Sequence, residues 1–247
     1  MSPWAEGERP VALVTGAGTG IGSACARALA EEGFRVALHY RSSAARAREL
    51  ADGLDGAFAL GADLCVPEQV EALVAELKQR AGRLDVLVNN AGANANGPLA
   101  SMKLEDYDRV AGLMRGTWYL TKLVLRRFML RQKQGRIVNI SSVVGHTGNA
   151  GQSPYTMVKA GLDAFTKSLS AELAGRQILV NSVAPGFIWT EMTAEVPAEV
   201  RDAILARVPL GRMGEPEEVA DAVRWLATRA SYVSGSVIHV NGGLYGG

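Results

Sequence analysis

The chain has 247 residues, 48% of them hydrophobic and 21% charged, ordinary values for a water-soluble globular protein with one substantial core. Its 26 basic and 25 acidic residues leave a net charge of +1, which gives no reason to expect a nucleic-acid or membrane partner for the whole molecule. No apolar run reaches the roughly 18 residues of a membrane span, and the opening MSPWAEGERP lacks the apolar stretch of a secretory signal, so a cytoplasmic location is expected.

In chain order, VALVTG (11–16) reads as a short strand that ends in glycine, and IGSACARALAEEG as a helix that closes on Gly33. FRVALHY is a second strand, followed by a helix in SSAARARELADGL with a serine cap. GAFALGADL is a third strand, and PEQVEALVAELKQRAG a helix with Pro67 near its start. LDVLVNNAG is a fourth strand, which runs into a loop up to Pro98. Two helical segments follow, roughly 104–115 and 117–133. GRIVNISS is a fifth strand, SPYTMVKAGLDAFTKSLSAELAG a long helix and ILVNSVAPG a sixth strand. Residues 191–230 read as a helical insertion, and VSGSVIHVNGG ends in a last strand.

Strands and helices alternate, and the strands are continuous apolar runs. That pattern predicts a parallel sheet covered on both faces, a doubly wound, three-layer α/β/α arrangement within one domain spanning 1–247. The two cysteines, Cys25 and Cys65, sit in apolar stretches with no CxxC and no histidine cluster, so buried thiols and no metal site are expected.

TGAGTGIG (15–22) joins the first strand to the first helix. Gly16, Gly20 and Gly22 would let the backbone turn tightly, approach a pyrophosphate and pack the helix on the sheet. The spacing Gly-x3-Gly-x-Gly differs from the commoner fingerprint, and a tight turn without a ligand is the alternative. Its place between strand and helix favours a dinucleotide site.

SPYTMVK (153–159) sets Tyr155 and Lys159 one helical turn apart. An ammonium beside a phenol stabilises its anion and brings a proton donor toward working pH. Ser142, at the end of the fifth strand, can reach the same pocket and hold a carbonyl oxygen. A chance helical pair is the alternative.

Taken together, TGxxxGIG at 15–22, NNAG at 89–92, the Ser142/Tyr155/Lys159 set and PGFIWTEM at 185–192 resemble the short-chain dehydrogenase/reductase family, in its order and over nearly the whole chain. The resemblance implies a Rossmann-type sheet of seven strands, an NAD(P)-linked oxidoreductase, and Tyr155 as proton donor with Lys159 as its electrostatic partner. It also implies cofactor contacts from Gly16, Thr19, Gly20, Ile21, Gly22, Asp63, Leu64, Asn90, Ala91, Gly92, Pro185, Gly186, Ile188 and Thr190, with Tyr155 and Lys159. The second strand ends HYRSS, where a carboxylate would hold the ribose of NAD. Arg41 and Ser42 stand there instead, and they favour the 2′-phosphate of NADPH over NADH. A solvated loop arginine is the alternative for Arg41, and a loop or capping aspartate for Asp63.

One position departs from the family. No asparagine occurs from 97 to 138, although the family uses one after NNAG to support a water chain that re-protonates the tyrosine through the lysine. Leu113 stands near that place, in a stretch that reads one residue short. Slower proton resupply or a substitute donor is expected, with Thr117 and His146 as candidates.

SSVVGHTGNAGQSPY and HVNGGLYGG resemble the 3-oxoacyl-[acyl-carrier-protein] reductases more than the sugar or steroid branches. That resemblance implies a 3-oxoacyl thioester substrate, bound to an acidic carrier protein or to CoA. It also implies a docking patch at Arg131, Lys133 and Arg176; the first two fall in a basic stretch with Arg126, Arg127 and Arg136, Arg176 follows the long helix, and a solvated helix face is the alternative. Residues 191–212 are expected to form a substrate lid. A homo-oligomer, tetramer or dimer, is implied. Two alternatives stay open: a reductase of another alcohol, ketone or sugar, and a catalytically weak, cofactor-binding subunit in a hetero-oligomer with an active homologue.

Overall fold

Each apolar run of the sequence forms a strand whose successive side chains face opposite ways. In β1 (Val11–Val14), Val11 and Leu13 join one buried cluster while Ala12 and Val14 join the other. In β4 (Val86–Asn89), Val86 and Val88 go to one side and Leu87 to the other. Strands buried on both faces need an apolar residue at nearly every position, which is why these segments show no alternation.

The computed structural model describes Trp4, residues 9–194 and residues 198–246. Its sheet adds β2 (Arg35–Tyr40), β3 (Phe58–Gly61), β5 (Gly135–Ile140), β6 (Ile178–Pro185) and β7 (Val237–Val240). All seven strands are parallel, in the order β3-β2-β1-β4-β5-β6-β7. The helices begin with α1 (Gly20–Glu31), α2 (Ala44–Asp52), α3 (Pro67–Ala81), α4 (Leu104–Val124) and α5 (Leu130–Gln132). They continue with α6 (Val144–Thr147), α7 (Ser153–Leu173), α8 (Glu191–Ala194), α9 (Ala198–Leu205) and α10 (Pro216–Thr228). One layer packs α1 and α10 through Ala24, Leu29, Val219 and Val223; the other packs α3, α4 and α7 through Leu73, Leu77, Leu120 and Leu169. This is the Rossmann-type three-layer fold expected from the sequence.

The strand order reverses between β1 and β4, so their following loops diverge and leave a crevice at the carboxyl ends of the strands.

Three expectations are corrected. The predicted break near residue 116 does not occur: α4 runs on to Val124 and continues through a π-helical turn at Leu125–Met129 into α5. Gly116 serves close packing, since a Cβ there would lie 2.0 Å from the Leu64 carbonyl oxygen. The segment 191–230 is not one insertion. A bridge between Ile188 and Gly214 closes the base of an excursion that carries α8 and α9, while α10 lies beyond it and packs on α1. Ser43 stands at the N-cap of α2, but its side chain makes no capping bond.

Gly116→Ala forces α4 away from the backbone after β3. Overpacking of this kind costs about 1–3 kcal/mol, so the urea midpoint should fall by the matching amount. An unchanged midpoint would show that the contact yields freely.

Candidate functional site

The crevice is floored by the turn after β1. Gly16 and Gly20 have φ of +65° and +52°, values that a side chain resists. Gly22 is buried, and a Cβ on it would lie 2.2 Å from the Gly16 carbonyl oxygen. The turn is clasped to the loop after β4. The Thr15 hydroxyl accepts from the backbone N–H groups of Asn90 and Ala91, both at 2.9 Å, and Asn90 Nδ2 donates to the carbonyls of Thr15 (2.9 Å) and Gly16 (3.2 Å). Thr19 makes no side-chain cap on α1, so the first N–H groups of that helix remain open toward the crevice.

Gly16, Thr19, Gly20, Ile21, Asn90, Ala91 and Gly92 line one cleft of about 370 Å³, the size of a small-molecule site. Arg41, Ser42, Asp63 and Leu64 line its far end, and Ser142, Tyr155, Lys159, Pro185, Gly186, Ile188 and Thr190 its near end. Of the residues expected from the sequence to meet a cofactor, Gly22 alone lies off the surface of the cleft; it packs the turn on its helix.

At the far end, Arg41 and Ser42 are exposed. No carboxylate follows β2, so the residues there suit a phosphate better than a ribose hydroxyl. Asp63 Oδ1 accepts from the Cys65 N–H at 2.8 Å, so this carboxylate shapes its own loop as well as lining the cleft. The glycine cradle, the open helix end and Arg41 fit a dinucleotide.

The sequence reading missed His39. It is buried at the end of β2, where its Nδ1 accepts from the Gly16 N–H at 3.2 Å and its Nε2 donates to the Ala62 carbonyl at 3.0 Å. Burial pushes its pKa down, which keeps the ring neutral with one donor and one acceptor. A lone polar residue inside an apolar strand was the available signal. Glu191 and Thr193 were also missed as lining residues; Glu191 pairs with Arg46 from α2.

At the near end, β5 delivers Ser142 just past its carboxyl terminus, and α7 carries Tyr155 and Lys159 on one face. Lys159 is 6% exposed, and its Nζ donates to the Ile140 carbonyl at 2.7 Å and lies 5.5 Å from the centre of the Tyr155 ring. Ser142 Oγ accepts from the Val144 N–H at 3.2 Å. A phenol, a buried ammonium and a hydroxyl therefore meet at one wall of the cleft, an arrangement able to bind a carbonyl oxygen and protonate it.

Leu113 does face this region, lining both the cleft and a small cavity behind Lys159. Thr117 lines that cavity too. His146 is not among the residues that line the cleft with Tyr155. Its Nε2 lies 2.9 Å from Asp163 Oδ2, without the alignment of a hydrogen bond, and its ring packs against His239 and Tyr245. Asp163 on α7 attracts it there, so its candidacy as a substitute donor is withdrawn.

Cys25 is a buried thiol, pushed up to about 12 by burial, whereas Cys65 is half-buried. No metal-binding group of histidine, cysteine or carboxylate residues occurs among the described residues. No helix of the described residues is long and apolar enough to cross a membrane. Arg131, Lys133 and Arg176 are exposed, but Arg136 is not part of their patch. It is buried at the start of β5, bonded to the Gly135 carbonyl at 2.9 Å, and burial lowers its pKa.

A family profile described as "Enoyl-(Acyl carrier protein) reductase" matches residues 16–245. The 3-oxoacyl-[acyl-carrier-protein] reductase FabG of Vibrio cholerae is 45% identical over 241 residues, covering 96% of this chain and 98% of that protein. FabG of Staphylococcus aureus is 43% identical, covering 95% and 97%. The 3-oxoacyl-[acyl-carrier-protein] reductase of Synechocystis is 46% identical over 242 residues, covering 95% and 96%. With its seven-stranded sheet and its matching profile, the chain belongs to the short-chain dehydrogenase/reductase family of oxidoreductases.

Proposed function

We propose that this chain reduces 3-oxoacyl thioesters, carried on acyl carrier protein or CoA, to 3-hydroxyacyl thioesters with NADPH. The observation that carries the reading is the shared wall: Ser142, Tyr155 and Lys159 line the same cleft as the open N-terminus of α1. Relatives of nearly equal length bear the reductase name. A nicotinamide held in the cleft would supply hydride to the ketone carbon. Ser142 Oγ holds the carbonyl oxygen, and the Tyr155 hydroxyl gives it a proton. Lys159, fixed by the Ile140 carbonyl, keeps a positive charge beside the phenol. Thr190 and the Asn90–Gly92 segment hold cofactor, and Arg41 with Ser42 takes the 2′-phosphate. The excursion carrying α8 and α9 serves as the lid over the substrate; of the predicted lid at 191–212, residues 195–197 lie outside the described residues.

A carrier protein would dock at Arg131, Lys133 and Arg176. These residues precede β5 and β6, at the end of the sheet opposite the cleft. A six-residue strand spans about 20 Å, so a carrier docked there serves the cleft of a second copy more readily than the near one. Trp118 on α4 and Met157 on α7 are exposed apolar residues that support a homo-oligomer joined through these helices. Assembly in the cytoplasm as a dimer or tetramer accords with both.

Purified protein given acetoacetyl thioester should oxidise NADPH at least ten times faster than NADH. Arg41→Ala should raise the KM for NADPH about 10–100-fold, the usual loss for a charge-assisted bond, and leave NADH unaffected. Equal use of both cofactors by the parent protein would overturn the Arg41 assignment, and no turnover of any thioester would overturn the substrate. Lys133→Glu should raise the KM for a carrier-bound substrate and spare a small thioester such as acetoacetyl-N-acetylcysteamine. Equal effects on the two would remove the docking patch.

A further inference from the structure

His146 and Asp163 line neither the cleft nor the cavity behind Lys159. Asp163 is 4% exposed on α7, one turn beyond Lys159, and a carboxylate buried so deeply needs donors for both of its oxygens. Its Oδ1 accepts from Ser182 Oγ of β6 at 2.5 Å. Its Oδ2 has no hydrogen-bond partner among the described residues, and neither has His146 Nε2, which is also buried and lies 2.9 Å away. An unmet acceptor and an unmet donor thus stand at hydrogen-bond distance. Only alignment is lacking, and the outer torsion of a histidine side chain is broad enough for a small turn of the ring to supply it.

His146 belongs to α6, the short helix that begins just after Ser142. The backbone of α6 is pressed on α7 beside the lysine: a Cβ on Gly145 would lie 2.9 Å from the Ala160 nitrogen and 3.0 Å from the Lys159 carbonyl carbon. The Gly145 N–H donates to the Ser142 carbonyl at 3.0 Å, and the Val144 N–H to Ser142 Oγ at 3.2 Å, so a shift of α6 is passed on to the hydroxyl. His239 of β7 and Tyr245 pack on the imidazole, with ring centres 4.8 and 5.2 Å from its own, and leave the His146 side chain 20% exposed. A hydrogen bond to a carboxylate is stronger where water is excluded in this way.

We propose that His146 Nε2 donates to Asp163 Oδ2, forming a brace between α6 and α7 that fixes Ser142 relative to Tyr155 and Lys159. The carbonyl holder comes from the end of β5 and the acid with its lysine from α7, so the spacing between the two depends on how α6 is seated. His146 and Asp163 are positioning residues. They act on the substrate through Ser142, an assignment that rests on the reductase reading. Ser182 holds the other oxygen of the same carboxylate and so ties the brace to β6.

Two measurements test the brace. His146→Phe keeps a ring against His239 and Tyr245 and removes the donor. It should lower kcat for an acetoacetyl thioester about ten-fold, a loss in keeping with a small displacement of a reacting group, and leave the Kd for NADPH unchanged. His146→Ala should show the same loss. His146→Gln, whose amide N–H reaches nearly as far as Nε2, should restore most of the rate, and a loss equal to that of His146→Phe would overturn the bond. In a Ser142→Ala background His146→Phe should cost nothing further, because groups that act as a unit are not additive. A second ten-fold loss there, or an unchanged kcat in His146→Phe alone, would overturn the positioning role. Amide hydrogen exchange reads the brace without substrate. The Gly145 and His146 N–H groups should exchange at least ten times faster in His146→Phe, while those of β5 exchange as in the parent protein and show that the variant folds. Unchanged exchange at Gly145 and His146 would overturn the brace. Absence of turnover in the parent protein, with faster exchange in the variant, would sink the reductase reading and leave the brace standing.

Discussion

Everything functional here hangs on the clasp between Thr15 and Asn90. One hydroxyl and one amide tie the turn after β1 to the loop after β4, where the strand order reverses and the backbone would otherwise part. The Thr15 hydroxyl satisfies two N–H groups, and the Asn90 amide satisfies two carbonyls, in a place with no neighbouring strand to do so. With the clasp closed, the glycine turn keeps its positive φ angles and α1 points its free N–H groups into the crevice. His39 supports the same turn from the β2 side through the Gly16 N–H. The cofactor end of the site is thus held by side-chain bonds to the backbone from three strand ends, an arrangement rigid enough to position a phosphate.

The end of the cleft where we propose the reaction takes place is built differently. Lys159 is a nearly buried cation whose anchor is a single carbonyl at the end of β5. Burying an ammonium is costly unless it is paired or hydrogen-bonded, and here the carbonyl and the face of Tyr155 offset part of that cost. The same strand end presents Ser142, so any shift of β5 moves the hydroxyl and the lysine anchor together. Behind them Leu113 makes the wall apolar, and the unsatisfied oxygen of Asn89 becomes the strongest polar feature left there.

The glycine turn, the strand sequence and the Ser142/Tyr155/Lys159 wall were all legible in the sequence. Each is specified locally: a strand end fixes where the next residues point, and i and i+4 share a helix face. Other features depended on distant atoms. Gly116 looked like a helix break because glycine has poor helix propensity, but the packing of α4 against the Leu64 carbonyl demands it. Arg136 read as one more member of a basic run until the start of β5 drew it under Trp4. His146 read as a neighbour of the catalytic strand, yet Asp163, 17 positions later, turns it away. The excursion at 189–213 merged with α10 because helix periodicity does not reveal the bridge from Ile188 to Gly214.

The most direct test of the account is the Tyr155→Phe protein, with its ketone reduction rate and its affinity for NADPH measured side by side. Loss of a positioned general acid removes about 10²–10⁴ of rate. The account predicts a fall of that size with cofactor affinity little changed, since the glycine turn and Arg41 are untouched. Retention of the parent rate would contradict it, because the proton would then come from a group other than the phenol beside Lys159.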